Sequence, residues 1–159
     1  MSARAGIGYD IHRRAEGRPL VLGGVRFESP WGLAGHSDAD VLCHAIGDAL
    51  LGAAALGDLG DHFPPGDPAW RDASSLDLLS RIATLLAGRG ARIVNVDAMV
   101  TAEAPRLAPA REAMRARIAL ALGIEPAQVS VKATTNEGLG AVGRGEGIAA
   151  WAVAMVEVR

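Results

Sequence analysis

His36-Ser37-Asp38-Ala39-Asp40-Val41-Leu42-Cys43-His44-Ala45-Ile46-Gly47-Asp48 sets an acid, an imidazole and a second acid four residues apart on an otherwise apolar segment. Four residues are close to one helical turn, so Asp40, His44 and Asp48 fall on one narrow stripe. Val41, Leu42, Ala45, Ile46, Ala49 and Leu50 cover the wider opposite face, the one a core would take. Ser37 followed by Asp40 matches a capping box with Asp in place of the usual Glu or Gln. This predicts a helix from Ser37 to about Ala55, with His36 just outside it. Polar groups then gather at the positive end of a helix, where anions bind. The same acids also serve a plainer purpose, complementing the helix dipole while His44 is solvated.

Outward from that helix, the chain has only four histidines, and one belongs to a second acid/imidazole pair, Asp10-Ile11-His12. It lies at the end of a first strand that the pattern places at Ile7 to Tyr9. Residues two apart on a strand point to the same side, so Asp10 and His12 present a carboxylate and an imidazole together. Joined with His44 they would form two imidazoles and one carboxylate, the open ligand set of a catalytic zinc site. Asp and His at a strand end serve turn chemistry equally well. Cys43 points away from His44 on the helix and reads as a small core residue.

The remaining pattern interleaves strands with helices. Leu20 to Glu28 reads as strands turning at Gly23-Gly24, and Pro30 to Gly35 as a connection into the helix. Leu56 to Pro68 is rich in Gly, Pro and Asp, which predicts a long loop, either working or merely connecting. A second helix starts at Ser74 or Ser75 and ends at Gly88 to Gly90. Ala91 to Val100 is a strand, Ala104-Pro105 a turn, and Pro109 to Leu122 a third helix with Arg111, Glu112 and Arg115 on a solvated face. Val129 to Ala133 is a strand, Gly138 to Gly147 a glycine-rich loop, and Ile148 to Val158 the closing strand. The fold class expected is α+β, an α/β sandwich of a mixed β-sheet with three helices on one face. The closing strand is apolar at nearly every position, as in strands buried on both sides, so something must cover the second face. A symmetric oligomer packed sheet to sheet is the economical cover.

At 159 residues and 50% hydrophobic, the chain suits one domain, residues 1–159. A net charge of −2 and 4% aromatic residues argue against nucleic acid as a partner. No apolar run approaches the roughly 18 residues of a membrane span, and Met1 to Gly6 has no apolar h-region, which predicts a soluble cytoplasmic protein without a membrane partner. There is no GxxxxGK[ST] loop, no GxSxG elbow and no Ser/His/Asp order. Lys132 is the one lysine among 16 basic residues; its compact ammonium suits a phosphate, and a strand face suits it equally.

Gly8-Tyr9-Asp10-Ile11-His12, Gly35 to Asp40 with His44 and Asp48, Gly57-Asp58-Leu59-Gly60 with Phe63-Pro64, Ala104-Pro105, Lys132 to Glu137 and Gly143 to Gly147 occur in this order along the chain. Together they resemble the 2-C-methyl-D-erythritol 2,4-cyclodiphosphate synthase family over essentially the whole length. The resemblance implies cyclisation of 4-diphosphocytidyl-2-C-methyl-D-erythritol 2-phosphate with release of CMP, in the non-mevalonate route to isoprenoid precursors. It implies Asp10, His12 and His44 as Zn2+ ligands and Glu137 as the ligand of a second cation, Mg2+ or Mn2+. His36 and Ser37 match the 2-phosphate site, and His36 with Thr135 the transition-state stabilisers. Asp48, Asp58, Leu59, Gly60 and Phe63 fall in the erythritol region. Ala102, Ala104, Pro105, Arg106, Leu107, Ala108, Ala133, Thr134 and Ala141 fall around the cytidine, with Lys132 and Arg144 supplying positive charge. The family is a homotrimer with active sites at subunit interfaces, so the sheets would face the trimer interior. Ala141 stands where the family usually has an aromatic residue, and Asn136 and Gly138 replace its commoner Thr and Lys. Asp40 reads as supporting a ligand or binding a hydroxyl. Two other functions fit part of the pattern: a zinc-dependent phosphohydrolase, and a trimeric metal-stabilised binding protein.

Overall fold

The first strand, β1, runs Ser2–Glu16 in the computed structural model, which describes residues Met1–Arg159. It is far longer than the Ile7 to Tyr9 run, because it pairs antiparallel with the closing strand β7, Gly147–Val158, from Ser2↔Val158 to Arg13↔Gly147. That ladder is a backbone property and continues through residues whose side chains carry no alternating signal. β2, Leu20–Leu22, and β3, Val25–Phe27, form the expected hairpin at the glycine pair, where both glycines have positive φ. The connection after Pro30 contains a further short strand, β4, Trp31–Leu33, paired with Arg14 to Glu16.

The central helix starts later than the capping-box reading predicts. α1 spans Val41–Ala53, and its N-cap is Asp40, whose side chain accepts from Cys43 N. Ala39 sits in the left-handed region at φ 57°, and Ser37 Oγ accepts from Ala39 N, so Ser37 closes a turn and does not open the helix. Asp40 is accordingly neither a metal-supporting group nor a hydroxyl ligand. It is fully buried and also accepts from Gly23 N at 2.9 Å and Gly24 N at 2.7 Å, tying the hairpin to the helix start.

The long loop carries a one-turn helix, α2, Leu59–His62, and a 3-10 turn at Pro68–Trp70. α3 follows at Ser75–Gly88, then β5 at Ala91–Thr101, α4 at Arg111–Leu122 and β6 at Val129–Thr134. α4 ends where Gly123 takes φ 68°. Arg115 is not on a solvated face: its guanidinium donates to Val129 O and Pro126 O and binds α4 to the start of β6. The glycine-rich stretch folds one more short helix, α5, Gly140–Gly143.

The main sheet has the order β4-β1-β7-β5-β6, antiparallel except for β5–β6, and is mixed as expected. α1, α3 and α4 cover one face and, with the sheet, enclose a core that includes Leu42, Ile46, Leu50, Leu79, Ile82 and Ile118. β7 has two apolar faces, as its hydropathy indicates, and the helices cover one of them. Ile148, Ala150, Ala152, Ala154 and Val156 are buried beneath the helices, while Trp151, Val153 and Met155 are exposed beside Ile7, Tyr9 and Ile11 of β1. This second face is apolar and bare in the single chain.

α1 lies directly on β1 because β1 offers it glycines. A Cβ at Gly8 would stand 1.9 Å from Ala45 O, and one at Gly6 2.1 Å from Ala49 O. Gly8→Ala should therefore push α1 off the sheet and lower unfolding stability by about 3 kcal/mol. Gly52→Ala on the same helix, whose new Cβ would find nothing nearer than 4.0 Å, should be neutral or stabilise by up to about 1 kcal/mol. Denaturant melts of the two variants measure the contrast, and equal midpoints would refute the close approach as the cause.

Candidate active site and metal centre

The glycine contact places His44, near the start of α1, over the second half of β1, where Asp10 and His12 project toward the helices. Asp10 Oδ2 lies 2.8 Å from His12 Nε2 and 3.0 Å from His44 Nδ1, and the two imidazole nitrogens are 3.2 Å apart. One ligand atom from each residue lies within 4.8 Å of the others, a carboxylate and two imidazoles with room for a fourth partner. His12 is held by its far nitrogen, since Nδ1–H donates to Ala34 O and leaves Nε2 for the cluster.

The electrostatics follow from the pairing. Burial alone would push Asp10 up, but hydrogen bonds from both imidazoles, and their charge, bring it down to about 2. Burial opposes protonation of His12, and its hydrogen bonds to Asp10 and Ala34 outweigh that, so its pKa rises. Asp48 is raised by burial and by the nearby Asp58 and Asp10 carboxylates, and it accepts from Leu59 N at 2.8 Å. Cys43 is fully buried and pushed well up, which leaves it an unreactive core thiol.

A cavity of about 340 Å³ opens from the cluster, lined by Asp10, His12, His44, His36, Ser37 and Asp48 on one side. Leu59, Gly60, Phe63, Pro64 and Trp70 complete the lining, so the long loop walls the cavity as well as connecting α1 to α3. Asp58 does not line it. Asp58 is the N-cap of α2 and exchanges capping bonds with Asp61. The loop before α1 is held from behind by Arg18, which donates to Gly35 O at 2.7 Å and Ser37 O at 2.6 Å. Asp72 N donates to His36 O and Asp38 N to Ala73 O, stitching the same loop to the start of α3.

The remaining sequence-derived residues gather elsewhere. Ala102, Pro105, Arg106, Leu107, Ala108, Ala133, Thr134 and Thr135 line a second cavity of about 200 Å³, joined by Glu103 and Arg111. Ala104 precedes Pro105 through a cis peptide and is not in that lining. Ala141 lines a third concavity with Ile11, His12 and Glu146. Lys132 Nζ pairs with Asp97 Oδ2 at 2.7 Å, and Arg144 with Glu146 at 3.1 Å. Glu137 is exposed at φ 53°, its amide donating to Thr135 Oγ1, and supplies no atom to the three-residue cluster.

The register relates the first two cavities. Asp10 pairs with Ala150, Ala150 with Val100, and Val100 with Ala133. Three strand spacings of about 4.8 Å put Asp10 and Ala133 about 14 Å apart in one row. The linings of these two cavities share no residue.

Arg18, Asp38, Ser75, Glu103 and Arg111 escape sequence reasoning as site residues. Arg18, Asp38 and Ser75 act on partners 17 to 37 positions away, a distance over which no local pattern speaks. Ser75 carries a partial signal as a helix-start serine, and Asp38 as the middle acid of the His36 to Asp40 run.

Three comparisons bear on this geometry. The model described as the YgbB family matches residues 3–157. A 2-C-methyl-D-erythritol 2,4-cyclodiphosphate synthase of Symbiobacterium thermophilum is 62% identical over 154 residues, covering 97% of this chain and 98% of the relative. Among solved structures, an IspF of Plasmodium falciparum in complex with CDP superposes with a TM-score of 0.86 at 32% identity, over 99% of this chain and 97% of that one. The bifunctional IspDF of Campylobacter jejuni gives 0.95 at 39% identity, over 99% of this chain and 43% of that one.

The metal-free cluster carries a pH signature. Asp10 is depressed, so its contribution to stability is full above its ordinary 3.8 and is lost as pH falls through about 2. His12 is raised, so its contribution is full below 6.5 and is lost as pH rises through its higher folded value. The stability difference between chelator-treated wild type and Asp10→Asn should peak between those two ordinary values and shrink on both sides. Urea melts across the range measure it, and a difference that grows steadily toward alkaline pH would contradict the pairing.

Proposed function

The chain belongs to the YgbB family, and from that premise we propose how its residues divide the work of a cyclodiphosphate synthase. The reaction converts 4-diphosphocytidyl-2-C-methyl-D-erythritol 2-phosphate to 2-C-methyl-D-erythritol 2,4-cyclodiphosphate and CMP, a phosphorus–oxygen lyase step in non-mevalonate isoprenoid precursor synthesis. A 2-phosphate oxygen bonds to the β-phosphorus, the bond from that phosphorus to the bridging oxygen breaks, and the electron pair leaves with CMP. An ionised phosphate needs no base to activate it. The barrier lies in bringing one anion to another, so catalysis consists of neutralising charge and fixing position.

The observation that carries this reading is the convergence of Asp10, His12 and His44 at a cavity that also holds His36 and Ser37. Two imidazoles and one carboxylate fit Zn2+ with one position free for a phosphate oxygen. Bound there, the ion supplies a Lewis acid for the β-phosphate. Ser37 and His36 hold the 2-phosphate, and His36 with Thr135 donates hydrogen bonds as charge builds on the transferring phosphorus. Asp48, Leu59, Gly60 and Phe63 hold the erythritol chain, and Asp58 acts from the cap of α2. Ala102, the Ala104 to Ala108 segment and Ala133 to Thr135 hold the cytidine, with Ala141 beside it and Lys132 and Arg144 supplying cationic charge. Glu137, an exposed carboxylate, would hold a second cation, Mg2+ or Mn2+, which would supply positive charge to the diphosphate.

The protein is proposed to be a cytoplasmic homotrimer of single-domain chains spanning residues 1–159. No helix is long and apolar enough to cross a membrane. The bare face of Ile7, Tyr9, Ile11, Trp151, Val153 and Met155 supports packing against further copies. Two cavities with separate linings support a site whose zinc half comes from one chain and whose nucleotide half comes from its neighbour.

Phosphorus NMR of the purified protein with the cytidyl diphosphate substrate, Zn2+ and Mg2+ should show cyclic diphosphate and CMP in equal amounts. Release of inorganic phosphate from simple phosphate esters would instead mark a phosphohydrolase.

The shared site makes two inactive variants complementary. His12→Ala lacks every zinc half, and Lys132→Ala with Glu137→Ala lacks every nucleotide half. Refolded together as equal mixtures, about one boundary in four should unite two intact halves by cyclic counting, so activity should return to a substantial fraction of wild type. Mixed trimers demonstrated with two tags, yet as inactive as either parent, would reject the shared site.

A further inference from the structure

Each imidazole of the cluster must present a bare nitrogen, and a neutral ring does so only if its single proton is held on the other nitrogen. For His12 the holder is the Ala34 carbonyl. For His44 no carbonyl serves. Its Nε2 faces two hydroxyls, Ser75 Oγ at 3.0 Å and Ser37 Oγ at 3.1 Å. A hydroxyl can donate or accept, so neither by itself decides which form of the ring is kept.

Ser75 is constrained where Ser37 is not. α3 begins with Ser74 at the N-cap position, and the Ser74 side chain makes no capping bond. The acceptor comes instead from Asp38: its Oδ2 takes Ser75 N at 3.0 Å, and its Oδ1 takes the Ser75 hydroxyl proton. Ser75 is 1% exposed, so water does not compete. With its proton committed to a carboxylate, Ser75 Oγ can only accept from His44.

We propose that Asp38 and Ser75 are the positioning pair for His44: Asp38 orients the Ser75 hydroxyl so that Ser75 Oγ holds the proton of His44 on Nε2 and leaves Nδ1 as the metal-binding atom. The proposal rests on the reading of Asp10, His12 and His44 as zinc ligands. It has a second consequence. Because Ser75 takes the imidazole proton, the Ser37 hydroxyl keeps its own proton free to donate into the cavity.

Asp38→Asn is the sharpest test, since it is nearly isosteric and keeps an acceptor for the Ser75 amide. With its oxygen on that amide, the new NH2 must point at Ser75 Oγ, and the displaced hydroxyl proton then turns toward His44, donor against donor. Zinc affinity, measured on the full-length protein by competition with a chromophoric chelator, should fall about tenfold or more in Asp38→Asn and in Ser75→Ala. Ser74→Ala should leave it unchanged. Proton–nitrogen NMR of the zinc-loaded proteins supplies the reading that a general loosening of the fold would not move. The His44 Nε2–H proton should be slowly exchanging and downfield in wild type, and should move upfield and exchange faster in both variants. Unaltered affinity in the two variants overturns the pair, as does weakened affinity with an unmoved Nε2–H signal, which would make the residues merely structural. Failure of wild type to bind zinc defeats the ligand reading itself and is visible before any variant is made.

Discussion

The closeness of α1 to β1 is the constraint on which the rest of the molecule depends. A helix ordinarily rests on a sheet through a layer of side chains on both elements. Here Gly6 and Gly8 remove that layer from the strand, and the Ala45 and Ala49 carbonyls occupy the space where side chains would stand. The next two inward positions of the strand are Asp10 and His12, and the neighbouring position on the helix is His44. Three polar side chains come within 2.8 to 3.2 Å of one another there. Packing the apolar half of this interface and building the polar half are therefore one event, which is why small residues run the length of the contact and end where the chemistry begins.

Around this contact the loop from Gly35 to Asp40 solves a backbone problem. It cannot be helical, because Ala39 takes a positive φ, and it cannot be strand, because it must turn into α1. Its carbonyls are satisfied from outside: Arg18 takes those of Gly35 and Ser37, and Asp72 N takes that of His36. With its polar backbone groups held from behind, the loop has its side chains left for the cavity. Two aspartates two residues apart do different jobs: Asp38 caps α3 from a distance, while Asp40 caps α1 and accepts from three backbone amides, which oppose the rise that burial imposes on its pKa.

The Asp10, His12 and His44 cluster was legible in the sequence because both of its halves lie within regular elements, where spacing maps onto direction. Two residues on a strand and four on a helix are enough to predict which side chains share a side. The groups that hold the cluster in place were not legible, because Arg18, Asp38 and Ser75 act across 17 to 37 residues through turns with no period. Asp40 misled for a related reason: helical spacing put it with His44 and Asp48, but the helix had not begun. In β7 the Ala/Trp/Val/Met alternation is apolar on both sides, which called for a cover beyond the three helices, and hydropathy alone does not show which side meets the core.

That ambiguity in β7 and β1 has a structural counterpart. On β1 the inward residues Gly6, Gly8, Asp10 and His12 build the helix contact and the ligand set, while the outward residues Ile7, Tyr9 and Ile11 build the bare apolar face. Tyr9 already packs against Trp151 of β7 on that face, ring centroids 5.1 Å apart and the planes tilted by 49°. Side chains on a strand alternate strictly, so a slip of one residue would bury Ile11 beneath the helix and turn Asp10 and His12 outward. The three-residue cluster and the bare apolar face are thus two sides of one register, and neither can be specified without the other. A cyclisation that must bring two anions together also gains from this arrangement. The sheet that carries Asp10 and His12 also lines the second cavity through Ala133 and Thr134, so the groups around the two cavities are set by a common framework and not by a flexible loop.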